Sequence, residues 1–301
     1  MNIQSKKYAI YTAMVGGYDE IMQPMVVDDR FDYILFSNDI KEDRVGVWQV
    51  RPIAYTNPDN TRICRYVKTH PEELLPGYEA SVWMDSNLQI ITEHLYNIVV
   101  DFFSKGIYVA SINHQGRNCI YDEAFAVLEC GYEHEDIVLK WCYYLHRQNY
   151  PINNGLYETN VLYRINNDII KRLDDLWWNC IDNFSKRDQL SFNYVLWKLN
   201  IICELILPER YDTCNSIHFK RYYHSNERSK YNGINRSWLI KYCAKIPSSK
   251  NKIQSIYRNL FSIPINIPMA CVIGHFFRVK YLFIYYIKKI KKYCVSKLYK
   301  Y

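Results

Sequence analysis

Short apolar runs alternate with helical patterns over the first two hundred residues, which predicts an α/β chain with a mainly parallel central sheet covered by helices. Runs at 8–14, 33–36 and 45–50 have strand character. Asn57-Pro58-Asp59 joins a capping residue, a proline suited to the first helical position and an acid for the first turn, so a helix is predicted from there to about Thr69, just before Pro71. Residues 81–84, Ser-Val-Trp-Met, form a buried-strand run that stops at Asp85-Ser86-Asn87. Further on, the periodicity predicts helices over 93–103, 121–130 and Glu135–Arg147, and strands over 107–111 and 159–163. Ser185-Lys186-Arg187-Asp188 has the form of a capping box and opens a helix predicted to reach about Lys198. No internal repeat interrupts this order.

Charge divides the chain more sharply than hydropathy does. Residues 1–227 hold 22 Lys and Arg against all 31 Asp and Glu, whereas 228–301 hold 16 basic residues and no acid. The first part is therefore acidic and the second a polycation, and the division predicts a domain over 1–228 followed by a basic, aromatic helical tail over 229–301. Within the tail, 259–277 carries no charged side chain but is interrupted by Pro264 and Pro268, which argues against a spanning helix. Phe283, Ile284, Ile287, Ile290, Cys294 and Leu298 then recur at helical spacing with lysines turned elsewhere, the pattern of a helix lying on an anionic membrane surface. A helix packed on the acidic body is the competing reading. Ten cysteines with no CxxC pair read as reduced thiols, and the brief apolar stretch after Lys6 and Lys7 reads as a first strand, so the expected location is cytoplasmic, on the inner face of the membrane.

The most informative residue is Asp85. In open α/β sheets ligands bind outside the carboxyl ends of strands, so an acid directly after a buried strand points to the ligand crevice. Together with Asn87 it offers oxygen ligands for Mn²⁺ or Mg²⁺, although a turn aspartate needs no ligand at all. Arg62, Arg65 and Lys68 share one helix face, suited either to phosphate oxygens or simply to solvent. Asp188 reads as a catalytic carboxylate or as a helix cap, with Gln189 beside it, and Glu158 lies in a polar cluster near a strand. His218 and His224 come late enough to supply one more metal ligand.

Several of these segments occur in the order of one family. They are Tyr11-Thr12-Ala13 through Gly16-Gly17-Tyr18-Asp19; Arg62, Arg65 and Lys68; residues 81–85; His114 with Arg117 and Tyr121-Asp122-Glu123; residues 155–160; Trp177-Trp178; and residues 185–192. Over about residues 8–225 the chain resembles the glycosyltransferase-like domains of bacterial capsule and lipopolysaccharide gene sets and of plant mucilage and cell-wall proteins. It is distantly similar to glycosyltransferase family 8.

The resemblance implies a GT-A-like nucleotide-binding sandwich and metal-assisted transfer from a nucleotide-sugar donor, UDP-linked by expectation, to a glycan or lipid-linked glycan acceptor. It places Thr12, Ala13, Gly16, Gly17, Tyr18, Asp19, Arg62, Arg65, Lys68, Asp85, Ser86 and Asn87 at the donor. It implies Asp85, Asn87 and either His218 or His224 as ligands of Mn²⁺ or Mg²⁺, with Asn87 standing where the family's Asp-x-Asp motif has its second acid. Asp188, Glu158 and Gln189 are the catalytic candidates.

Two other classes compete. Some plant relatives are linked to lipid amide cleavage, but the chain has neither a nucleophile elbow nor a zinc-type HExxH. The polycationic tail fits nucleic acid in principle, although a nucleic-acid partner is not expected.

Overall fold

Six buried residues in succession, Tyr8–Ala13, form β1, a strand covered on both faces. It lies at the middle of an eight-stranded sheet in the computed structural model, which describes residues 7–17 and 19–222. Parallel to β1 run β2 (Phe31–Phe36) on one side and β5 (Ala80–Met84) on the other. With β3 (Arg44–Val45), β4 (Trp48–Arg51), β7 (Val109–Asn113), β8 (Tyr157–Ile165) and β9 (Glu204–Leu205), the spatial order is β3-β4-β2-β1-β5-β8-β7-β9. β3 and β8 run against the rest, so the sheet is mostly parallel, as the alternation predicts. β6 (Leu88–Ile90) and β10 (Phe219–Arg221) pair separately in an antiparallel ribbon.

Helices cover both faces. On one lie α1 (Asn60–Thr69), α4 (Ile120–Cys130), α5 (Glu135–Arg147), α6 (Asp168–Asn183) and α7 (Gln189–Leu199), around Tyr11, Trp83, Trp141 and Trp177. On the other, Leu95, Tyr96, Val99 and Phe102 of α3 (His94–Ser104) join Ile10, Val82 and Tyr163. The short α2 (Pro71–Leu74) follows α1. Among the described residues no helix is long and apolar enough to cross a membrane. Tyr18, His224 and the basic tail lie outside the described residues.

Local chemistry accounts for the departures from the predicted elements. The stretch 45–50 is not one strand but a tight β3–β4 hairpin, because Gly46 takes a positive φ of 58°. α1 begins at Asn60, two residues later than expected. Its cap is Asp59, which accepts from Thr61 N at 2.9 Å, while Asn57 accepts from Asp59 N in the preceding turn. α6 was not predicted. Asn167 caps it through a bond from Ile170 N, and Ile170, Leu173, Trp177 and Ile181 form its buried stripe.

β8 carries a wide irregularity. Ala110 pairs with Tyr163 and Ile112 with Glu158, so Thr159, Asn160, Val161 and Leu162 stand opposite Ser111 alone. The Ser111 hydroxyl bonds the carbonyls of Glu158 and Val161 across this bulge. Farther along β8, Arg164 is fully buried against Asp174 of α6 and the Tyr11 hydroxyl, and it donates to the Lys68 carbonyl at 2.6 Å. Three elements thereby hold the C-terminal end of α1 in place.

Candidate functional site

At the carboxyl ends of β1, β2 and β5 the candidate site begins with the loop after β1. Gly16 and Gly17 both take positive φ, 78° and 58°, and both amide N–H groups point to the Asp39 carboxylate after β2, at 2.5 and 3.4 Å. Successive N–H groups turned to one oxygen make a small anion-binding nest. Thr12 and Ala13 are buried behind it, and Asp19 accepts a bond from Ser86 Oγ at 3.1 Å, tying the loop to the end of β5. A Cβ on Gly16 would come within 2.2 Å of Asn60 Nδ2 at the start of α1. Gly16→Ala is therefore expected to destabilise the fold by about 1–2 kcal/mol and to open the loop, which urea denaturation and donor KM would register.

Lys68 sits at the centre of the charged cluster. Its ammonium, 1% exposed, lies 2.5 Å from Asp188 Oδ2 and 3.9 Å from Asp85 Oδ1, between the rings of Trp83 and Trp177. Burial pushes its pKa down, against the two carboxylates. Asp188 also meets Arg65 Nε at 2.9 Å and accepts from Thr159 Oγ1 at 2.8 Å. Burial alone would raise the Asp188 carboxyl, but Arg65 and Lys68 overcome it and hold the group well below the usual carboxylate range.

Although Asp188 occupies the cap position of α7, its side chain caps nothing, so the expected capping box is absent. Ser185 instead accepts from Arg187 N and donates to Glu133. A buried carboxylate engaged by two cations and a hydroxyl is a poor proton acceptor, and through these contacts Asp188 ties the start of α7 to α1 and β8. Arg62 is likewise committed, donating to the Ile181 and Asp182 carbonyls at the end of α6.

Asp85 is differently placed. Its side chain is one-third exposed, and both described contacts, from Trp83 Nε1 at 2.8 Å and from Lys68, fall on Oδ1. The β8 bulge sets Glu158 at the same end of the sheet, where it accepts from Asn160 Nδ2 at 2.8 Å. Burial raises the Glu158 pKa, and the negative charges of Asp212 and Asp85 add to the rise against the pull of Asn160 and Arg221. Unused hydrogen-bonding capacity remains close by: Thr12 Oγ1, Asn160 Oδ1 and Gln189 Nε2 are buried with no protein partner. Arg221, at the end of β10, was not singled out from the sequence. It is exposed, and its guanidinium feels both Glu158 and Asp85.

Among the described residues the expected metal ligands Asp85, Asn87 and His218 have separate partners. Asn87 is buried and donates its amide nitrogen to the Tyr222 carbonyl at 2.8 Å. His218 stands with Thr92 Oγ1, 2.7 Å from its Nδ1, and stacks on His94 at 4.1 Å. Among the described residues no group of three or more His, Cys, Asp or Glu side chains could hold a metal ion. One carboxylate that shares an oxygen with an indole N–H and an ammonium, beside a neutral amide, does not by itself fit a resident divalent cation. Another motif group forms its own cluster at the end of β7: Arg117 donates to Glu123 at 2.6 Å, and its Nη2 lies 2.9 Å from His114 Nε2.

The chain is 25% identical over 228 residues to "Probable hexosyltransferase MUCI70" of Arabidopsis thaliana, covering 65% of this chain and 38% of that protein. Among solved structures, the apo crystal structure of mouse xyloside xylosyltransferase 1 matches 66% of this chain and 83% of its own, with a TM-score of 0.38 and 8% identity. The family model described as TOD1/MUCI70, glycosyltransferase-like domain, matches residues 2–224, which takes in every described element, and the chain belongs to that family.

Proposed function

We propose that the body of this chain is a hexosyltransferase that moves a sugar from a nucleotide-sugar donor, UDP-linked in the first instance, to a hydroxyl of a glycan or lipid-linked glycan. The observation that carries the reading is the neighbourhood of Asp85, Glu158 and Arg221 at the carboxyl end of β5, where Asp85 N donates to the Asn160 carbonyl, two residues after Glu158, and Arg221 pairs with Leu88, three residues after Asp85. The Gly16-Gly17 loop suits close backbone approach to the nucleoside, and Asp85 orients the donor with its uncommitted oxygen. The acceptor oxygen forms the new bond to the anomeric carbon as the bond to the diphosphate breaks, and that electron pair leaves on the diphosphate. Glu158 takes the acceptor's proton. Mn²⁺ or Mg²⁺ brought in with the diphosphate would add charge at the leaving group. For the tail, the absence of any acid over 228–301 supports attachment to anionic lipid on the inner face of the membrane.

The reading is tested by incubating the full chain with UDP-, GDP- and CDP-sugars and measuring release of free nucleoside diphosphate. No release from any donor, with or without a divalent cation, would refute it. Proton acceptance by Glu158 also sets a pH dependence. Its pKa lies above the ordinary 4.5, so the ionised form, and with it kcat, is lost as pH falls through that raised value. Glu158→Gln is expected to remove this acid limb and to lower kcat by about 10²–10⁴-fold.

A further inference from the structure

The three cations expected at the donor are all spent inside the protein. Arg62 serves the carbonyl end of α6, and Arg65 and Lys68 neutralise Asp188. The departing diphosphate still requires a positive partner in a transfer reaction. Arg221 differs from all three: it is exposed, its hydrogen bond goes to a thiol, Cys214 Sγ at 3.6 Å, and after Cys214 the groups that act on its charge are Glu158 and Asp85.

Arg221 is held near the end of β5 by a lock. β10 pairs with β6 in a register that sets Arg221 opposite Leu88, three residues after Asp85. Immediately beyond, Asn87 Nδ2 donates to Tyr222 O at 2.8 Å, Tyr222 N donates back to Asn87 O at 2.9 Å, and the Tyr222 hydroxyl donates to Gln89 Oε1 at 2.9 Å. The first of these bonds needs a side-chain N–H donor. An amide supplies it, whereas an aspartate would face the Tyr222 carbonyl with a second acceptor. This gives a physical reason for an amide two residues after Asp85.

We propose that Asn87 is a positioning residue whose amide locks Tyr222 and thereby seats Arg221 at the carboxyl end of β5, where the guanidinium recognises the diphosphate of the donor. The assignment rests on the transferase reading and deepens it.

The test uses the full-length chain with two probes, inorganic pyrophosphate and UDP, titrated by calorimetry without added metal. Arg221→Ala and Asn87→Asp are each expected to weaken both probes by about tenfold or more, which corresponds to about 1.4 kcal/mol. Arg221→Lys should recover part of the loss, since it restores charge without the planar fork. Hydrogen exchange at the Tyr222 amide should quicken in Asn87→Asp and stay unchanged in Arg221→Ala. Were Asn87 chiefly a metal ligand, Asn87→Asp would instead bind Mn²⁺ more tightly and keep or gain affinity for UDP, and that result would overturn the proposal. Equal pyrophosphate affinity in wild type and Arg221→Ala would overturn it as well. Pyrophosphate binding that depends on Arg221, in a chain releasing nucleoside diphosphate from no sugar donor, would leave the anion site standing and remove the transferase reading alone.

Discussion

Replacing Asp188 with asparagine is expected to cost about 3–5 kcal/mol of folding stability, because it removes the close partner of buried Arg65 and leaves buried Lys68 only Asp85, 3.9 Å away. A residue that merely capped α7 would cost about 1 kcal/mol. Chemical denaturation separates the two outcomes, and the absence of any side-chain capping bond favours the larger. The pH dependence has a definite sign. The folded carboxyl titrates below its ordinary 3.8, so its contribution to stability is complete above that value and is lost as pH falls toward the folded pKa. Asp188→Asn should therefore flatten the acid limb of the stability curve as well as lower its plateau.

Asp85→Ala is expected to do the reverse, reducing turnover by about 10²–10³-fold while barely moving the unfolding midpoint. Its described partners are an indole N–H and an ammonium that lies closer to Asp188, and a third of its side chain faces solvent. Loss of the bond to Trp83 costs about 1 kcal/mol. Nucleoside diphosphate release, measured alongside thermal unfolding, checks the prediction; normal turnover in the folded variant would remove Asp85 from the site. On the proposed reading Lys68 stands between two carboxylates of opposite use, one holding the fold and the other serving the ligand.

That distinction is invisible in the sequence. Asp85 is legible because it directly follows a buried strand, and the end of a strand is a local feature. The partners of Asp188 are Arg65, Lys68 and Thr159, and no spacing rule joins positions so far apart. The same reason hides the β6–β10 ribbon, and with it Arg221 and the true engagement of Asn87. Helix α5 was legible to its ends because acids open it and basic residues close it on a clear apolar stripe. α6 has an equally good cap in Asn167 and a comparable stripe, so its omission was a missed local signal. The hairpin at β3–β4 was hidden because one glycine divides an apolar run that is otherwise continuous.

The grip on Lys68 also bears on the order in which the chain can fold. The Lys68–Asp188 contact joins residues 120 positions apart, and Arg164 secures the Lys68 carbonyl across 96. Closing contacts of such separation is slow compared with forming a helix. During synthesis α1 emerges long before Asp188, and until then burying Lys68 and Arg65 would strand two charges in the core. The first strands can associate early, but the charged face of α1 must stay in water until α7 begins to form. A chain released before residue 188 would expose the apolar surface of the sheet without being able to seat this helix, and would be a natural substrate for chaperones or proteases.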